Sequence, residues 1–170
     1  MKVGHLIKRF VGSLWPAGPG TEEERWVGSM LSEGELKLWR RMSRADRRHA
    51  VGVGRRVERA LGDEATPPVL AAALLHDVGK TAARLGTYGR VVATMAGSFA
   101  PKMAGPWSQG RGFTRRVGLY LRHSELGADM LALAGSDPLT VTWVREHHLP
   151  PEEWTLPPAT AAALKAADDD

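Results

Sequence analysis

The feature that most constrains the fold is an apolar run near the middle of the chain, Val69–Leu75, within the sequence PPVLAAALLHDVGK. A helix that is apolar on every side must be packed on every side by other elements. Pro67-Pro68 suits its first turn, and Gly79 suits its exit. The polar pair His76-Asp77 ends this run. Because a buried imidazole and a buried carboxylate are costly unless each is paired or bound to metal, we look for chemistry at this end of the helix.

Length and composition indicate one soluble, cytoplasmic domain. The chain has 170 residues, of which 43% are hydrophobic and 25% are charged, and it is too short to suggest two domains. It has no cysteine, so any metal must be held by histidine and carboxylate. The longest apolar run is far below the roughly 20 residues of a membrane-spanning helix, so we expect no transmembrane segment.

The charge is basic, with 23 Lys and Arg against 19 Asp and Glu and a net charge of +4. Much of the excess lies in the Arg40–Arg59 segment, which holds eight arginines. Such patches attract nucleic acid or anionic lipid. No aromatic residue separates these arginines and no nucleic-acid motif accompanies them, so we interpret the segment as a solvated helix face and expect no specific nucleic-acid binding.

Residues 1–20 form a basic amphipathic arm ahead of a domain that we expect over residues 21–170. Apolar residues recur at helical spacing up to Trp15, with Lys8 and Arg9 opposite them. Weak contact of residues 1–15 with a membrane or a partner is one interpretation, and docking on the chain's own domain is the other. His5 is a lone histidine that nothing marks as a ligand.

Caps and apolar spacing predict an all-α bundle around the central helix, because no stretch alternates as a strand would. The predicted helices cover residues 21–30, 32–42, 45–61, 67–79, 91–95, 114–121, 125–133, 136–148 and 159–167. We expect Thr21 to be the N-cap of the first helix, and Ser32 and Glu35 to form a capping box at the start of the second. We expect a Gly-containing turn at 84–90 and a structureless lid, including Trp107, at 97–112.

Within these helices, His49 shares a core-facing stripe with Val53, Val57 and Ala60. Taken alone, such a histidine is more often a hydrogen-bonded structural residue than a ligand. Ser124 is expected to cap the helix 125–133, so that His123 can turn inward. The residues of that helix expected to face the core are Leu126, Met130 and Leu133.

Polar residues suited to metal binding fall on core-facing positions or helix ends along the whole chain. They are His49, His76, Asp77, His123, His147 or His148, and an aspartate of the last triplet. Imidazole and carboxylate suit Mn, Fe, Co or Zn, and a bridging carboxylate can hold two metals. The number of candidates favours two.

The order His49, His76-Asp77, Asp168 resembles the HD-domain superfamily of metal-dependent phosphohydrolases, over about Glu35 to Asp168. LLHDVGK matches the HDIGK form of the family signature, and RHAVGVGRRV and LKAADDD match its flanking helices. The resemblance implies that these four residues are metal ligands. Asp169 and Asp170 fit less well, because the family's final aspartate follows an alanine, as Asp168 does.

Two further segments resemble HD-GYP and related cyclic-dinucleotide phosphodiesterases, namely RHSELGADML and EHH. They imply that His123 and His147 hold a second metal bridged by Asp77, and that His148 is a ligand or a substrate contact. The GYP motif is absent, so specificity for cyclic di-GMP is not implied. The implied cofactors are two divalent ions, Fe, Mn or Co before Zn or Mg.

The implied activity is hydrolysis of a phosphate ester, most naturally of a nucleotide, by a metal-activated hydroxide. Asp77 is then the central catalytic ligand, and Lys80 binds phosphate or protonates the leaving group; a surface lysine at the helix end is the alternative. Arg111, Arg115 and Arg122 could clamp phosphate or form a solvated face. The rival functions are a di-iron HD-type oxygenase and a non-catalytic module that binds nucleotides or a partner.

Overall fold

The computed structural model describes residues 17–169, and these residues form helices joined by short turns. The helices are α1 (Thr21–Met30), α2 (Glu33–Arg41), α3 (Arg44–Leu61), α4 (Pro67–Leu75), α5 (Lys80–Ala83), α6 (Thr87–Phe99), α7 (Ala104–Ser108), α8 (Gly112–Leu121), α9 (His123–Leu133), α10 (Pro138–Glu146) and α11 (Pro158–Asp169). Short 3-10 turns occupy Gly62–Glu64, Pro101–Met103 and Pro151–Glu153. No strand occurs between residues 17 and 169, so the prediction of an all-α fold is confirmed.

Two sequence predictions concern segments at the chain ends. The amphipathic arm lies outside the described residues up to position 16, and so does Asp170. None of the helices described is both long and apolar enough to cross a membrane.

The central helix α4 is buried on all sides, as its apolar run predicts. Every residue from Val69 to Leu75 is buried, with α3 and α10 packed along it and α1, α2 and α11 in contact as well. Each fully buried leucine contributes about 1.5–3 kcal/mol to folding. Leu74 and Leu75 have no exposed surface, so α4 is the element against which the other helices are positioned.

Capping was predicted correctly at α2 and incorrectly at α1 and α9. Ser32 and Glu35 form the expected capping box, with Ser32 N donating to Glu35 Oε2 at 2.8 Å. The N-cap of α1 is Gly20 instead of Thr21, because Gly20 N already donates to the Glu23 carboxylate. Helix α9 starts one residue before Ser124, at His123, without a side-chain cap.

The predicted structureless lid at 97–112 is wrong. Helix α6 runs to Phe99, a turn follows, and α7 occupies Ala104–Ser108. The glycine that explains this packing is Gly118 of α8, where an added Cβ would lie 2.1 Å from Ser108 N. At this position of the predicted helix 114–121, glycine allows the close backbone contact between α7 and α8. The turn predicted at 84–90 is likewise replaced in part by α6, which begins at Thr87.

Two residues expected in the core lie at the surface. Leu133 is 91% exposed, because the buried stripe of α9 runs through His123, Gly127, Ala128 and Leu131, and Leu133 lies on another face. Ala60 is exposed near the end of α3, although Val53 and Val57 of the same predicted stripe are buried.

Candidate metal centre

Seven polar side chains from five parts of the fold converge beside the end of α4, and we call them the histidine–aspartate cluster. They are His49 of α3, His76 and Asp77 after α4, His123 of α9, His147 and His148 after α10, and Asp168 of α11. Five of them are buried, whereas His49 is half-buried and His148 is exposed. Asp169 is not among them, since its carboxylate accepts from Lys165 at the surface. The structure thus brings together every residue that the sequence singled out as a possible ligand within residues 17–169.

Three of the imidazoles are held in the same way by the backbone. Nδ1 donates to the carbonyl oxygen three residues earlier in His76 (Ala73, 2.9 Å), His123 (Tyr120, 2.8 Å) and His147 (Val144, 2.8 Å). In the neutral form of such a ring the proton is at Nδ1, and Nε2 carries the lone pair that a metal ion needs. A histidine fixed through its other nitrogen is the usual arrangement of a metal ligand.

The first group of possible ligands is His49, His76 and Asp77, whose ligand atoms lie within 4.8 Å of one another. Asp168 adjoins this group. Its Oδ1 is 3.0 Å from His49 Nε2 and 3.4 Å from His76 Nε2. Two imidazole nitrogens and two carboxylates therefore lie close enough together to share one metal ion.

The second group consists of His123, His147 and His148, again within 4.8 Å of one another. The Nε2 atoms of His123 and His148 are 3.0 Å apart. Asp77 connects the two groups, because its Oδ2 is 3.4 Å from His76 Nε2 and its Oδ1 is 3.4 Å from His123 Nε2. One carboxylate thus faces both groups with different oxygens.

Two buried nitrogens in the cluster have no hydrogen-bond partner, Nε2 of His76 and Nε2 of His147. In the neutral ring of His147 this nitrogen is a buried acceptor, which costs about 1–3 kcal/mol when it has no partner, whereas Nε2 of His76 lies 3.4 Å from carboxylate oxygens of Asp77 and Asp168 without hydrogen-bond geometry. A cation at either group would satisfy the nitrogen that faces it. Nitrogen and carboxylate donors without thiolate fit Mn, Fe, Co or Zn, so the residues present fit the implied ions.

The charges of the cluster depend on its burial and on its own members. Burial disfavours the imidazolium form of His76, but the carboxylates of Asp77 and Asp168 outweigh burial and raise the pKa of His76 to about 10, so a metal ion that binds at Nε2 of His76 displaces a proton from it. Burial and repulsion from His148 lower the pKa of His147 well below its usual value. Although burial opposes ionisation of Asp77, Lys80 and His76 hold the pKa of this carboxyl well below its usual range. Asp77 is therefore a carboxylate and His147 a neutral imidazole.

A close backbone contact places His123 against the turn after α4. An added Cβ on Gly79 would lie 1.9 Å from the carbonyl oxygen of His123 and 2.7 Å from Gly127 N. Gly79 has an ordinary helical φ of −64°, so the turn requires glycine for this approach. The sequence suggested glycine as a helix exit, and the structure gives it a different role: it lets α9 carry His123 up to Asp77.

Lys80 lies within the site. Its Nζ donates to Asp77 Oδ2 and lies 5.9 Å from the centre of the Tyr120 ring. Tyr120 also holds His123 through its carbonyl, a role that no pattern in the sequence indicated. The predicted arginines are placed differently: Arg111 and Arg115 are exposed at α8, and Arg122 donates to Glu125 and Ser108.

The residues that surround His147 on α10 and the segment after it were also not predicted from the sequence. Glu146 is buried and accepts from Thr155 N at 2.8 Å and Thr155 Oγ1 at 2.7 Å. The Trp143 ring lies 6.3 Å from that of His147 and 5.6 Å from that of Trp154. The carboxylate of Glu146 beside two histidines was the one feature of the sequence that could have indicated this contact. Its partner Thr155 is nine residues further along the chain, which no helical spacing predicts.

Comparison of the chain with protein-family models, with curated proteins and with solved structures finds no match in any of the three.

Proposed function

We propose that the protein is a metal-dependent phosphohydrolase of the HD-domain type, which holds two divalent ions in the histidine–aspartate cluster and cleaves a phosphate ester, with nucleotides as the expected substrate class. The observation that carries the proposal is the convergence of imidazole Nε2 atoms whose Nδ1 atoms are held by backbone carbonyls. Nε2 of the neutral His147 is buried without a partner, which supports a cation as the missing contact.

Each ion has its own donors in this proposal. His49, His76, Asp77 and Asp168 hold one ion; Asp77, His123 and His147 hold the other, and His148 is a further donor or a substrate contact. When bound, such ions supply a hydroxide near neutral pH and stabilise charge on the phosphoryl oxygens. The donor set favours Fe, Mn or Co.

Lys80 is the proposed catalytic residue that is not a ligand. Its ammonium contacts the Asp77 carboxylate and its side chain is only 11% exposed, which supports a role at the point where a substrate phosphate would meet the cluster. There it binds a phosphoryl oxygen, or it gives a proton from Nζ to the leaving oxygen as the P–O bond breaks.

The experiment is release of p-nitrophenol from its phosphate monoester and diester after loading with Mn, Fe or Co. We expect turnover by the wild type and a loss of about 100-fold or more in kcat for Lys80→Ala, with metal content unchanged. Lys165→Ala is the matched control, because Lys165 lies on α11 and bonds to Asp169 at the surface. A fully metal-loaded wild type that cleaves neither ester would contradict the proposal.

The oxygenase remains the second candidate because its donor requirement overlaps with that of the hydrolase. Five imidazoles in one cluster are also suited to iron and oxygen chemistry. Oxygen consumption and the spectrum of an iron-loaded sample distinguish the two activities. Substrate binding without turnover of either kind would indicate the non-catalytic module.

A further inference from the structure

Helix α6 presents an apolar row to the outside of the protein. Its exposed large side chains are Tyr88 (77%), Val91 (39%), Val92 (48%), Met95 (57%) and Phe99 (85%). Their spacing of three and four residues places them on one helix face. Scattered exposed apolar residues are ordinary, but a continuous row of them marks an interaction surface.

The opposite face of α6 is fixed to the domain. Ala93 is buried, and Gly97 approaches the Leu121 side chain of α8 so closely that a Cβ would lie 2.5 Å from it. Arg90 forms a bidentate ion pair with Asp46 of α3 at 2.6 and 2.8 Å. These contacts fix the orientation of α6, so its apolar row is held towards the outside of the protein.

The stretch of chain that contains this row carries charged side chains of one sign only. Residues 78–124 contain eight Lys and Arg and neither Asp nor Glu. The exposed cations of this stretch are Arg84, Lys102, Arg111, Arg115 and Arg116. Helix α8, which packs against α6, carries three of these arginines at or near its start and adds the half-exposed Phe113.

We propose that the α6 face binds the surface of an anionic lipid bilayer. The face is defined as Tyr88, Val91, Val92, Met95 and Phe99 with the exposed cations Arg84, Lys102, Arg111, Arg115 and Arg116. Aromatic and aliphatic side chains enter the boundary between headgroups and acyl chains, while lysine and arginine remain among anionic headgroups. A bilayer of this kind is complementary to both properties of the face. No described helix can span a membrane, so the contact is interfacial. The inference does not rest on the proposed activity.

Charge and chemistry favour a bilayer over the other occupants. A second copy would bring two basic surfaces together, and the N-terminal arm is itself basic, with Lys2, Lys8 and Arg9. A nucleic acid would supply the negative charge, and Tyr88 and Phe99 could stack on bases, but the aliphatic Val91, Val92 and Met95 between them offer neither stacking platforms nor hydrogen bonds to bases.

The test is co-sedimentation of the full chain with vesicles of equimolar phosphatidylcholine and phosphatidylserine, and with vesicles of phosphatidylcholine alone. We expect binding to the mixed vesicles that weakens with salt, and at least about tenfold weaker binding to the neutral vesicles. Tyr88→Ser/Phe99→Ser is expected to reduce binding to the mixed vesicles by about tenfold or more.

The apolar change has a matched control, and a charge change with its own control tests the cations of the α6 face. Leu133→Ser removes another exposed apolar side chain, far along the chain from α6, and should leave binding unchanged. Lys102→Glu/Arg116→Glu should reduce binding, whereas the same charge change at the exposed Arg40 and Arg41 of α2 should have less effect.

Several results would overturn the inference. They are no co-sedimentation of the wild type, equal binding by the α6 variant, tighter binding of an oligonucleotide with the same sensitivity to Tyr88→Ser/Phe99→Ser, and a dimer in solution that this variant dissociates.

Discussion

At the scale of single residues, His147 has a buried nitrogen that destabilises the folded protein and that is suited to binding a metal ion. Its Nδ1 is bonded to Val144 O, while its Nε2 is buried without a partner. Burial keeps the ring neutral. Such a residue is expected where a site is maintained for a ligand at the expense of the folded protein.

Replacing His147 with Leu should therefore leave the metal-free protein as stable as the wild type, or more stable by up to about 2 kcal/mol, because the unpartnered nitrogen is removed. Stabilisation by added Mn or Co should be reduced. Urea unfolding with chelator and with metal measures both quantities. If the metal-free variant lost several kcal/mol instead, His147 would be a structural residue.

Gly79 is the residue whose lack of a side chain the site requires most directly. In Gly79→Ala the new Cβ would meet His123 O at 1.9 Å, so α9 must move away from Asp77. We expect a loss of about 2–4 kcal/mol in the free energy of unfolding and weaker metal binding.

The matched control for this change is Gly28→Ala, because a Cβ at Gly28 of α1 meets nothing within 4 Å. This variant should gain up to about 1 kcal/mol from helix propensity. Thermal or urea unfolding compares the two variants, and equal stability of both would show that α9 does not need the close approach at Gly79.

At the scale of helices, α3 and α6 are joined by Asp46 and Arg90, 44 residues apart in the chain. Burial would raise the pKa of Asp46, but its hydrogen bonds and charge interaction with Arg90 outweigh burial and lower that pKa. Because the pKa is lowered in the folded state, the stabilisation is complete above the unfolded value near 3.8 and disappears as pH falls through the folded value.

Arg90→Met should cost about 2–4 kcal/mol near neutral pH, since it leaves Asp46 buried without its cation. Adding Asp46→Asn to this variant should recover part of the loss, and the double variant should show a weaker fall in stability below pH 4 than the wild type. Urea unfolding across pH measures this. A single variant as stable as the wild type would mean that the pair does not hold α6 in place.

The same scale shows which elements could be predicted from the sequence. Helices α1 to α4 and α10 to α11 follow from apolar spacing, caps and paired prolines, which are local signals. Helices α6 and α7 were missed or shortened because their glycines and prolines resemble loop composition. In the structure Gly97 of α6 lies against Leu121 of α8, and Ser108 of α7 lies against Gly118 of α8, so both helices depend on close contacts with another part of the chain.

At the scale of the whole molecule, the cluster is assembled from residues that span 120 positions, from His49 to Asp168. Its members could be predicted because histidine and aspartate at helix ends stand out against an apolar background. Tyr120, Glu146 and the Asp46–Arg90 pair could not, because their roles depend on long-range contacts that leave no period in the sequence. The sequence also does not predict which histidine nitrogens lie close together, because this depends on how the helices pack around α4.

The central claim is that Asp77 joins two groups of ligands, each of which holds an ion. Mass spectrometry of metal content, on wild type loaded with Mn, Fe or Co and on Asp77→Ala and His123→Ala, tests it most directly. We predict about two ions per chain in the wild type, about one in His123→Ala and none in Asp77→Ala, with helical circular dichroism preserved in all three. A wild type that binds no metal, or an Asp77→Ala protein that retains both ions, would contradict the account.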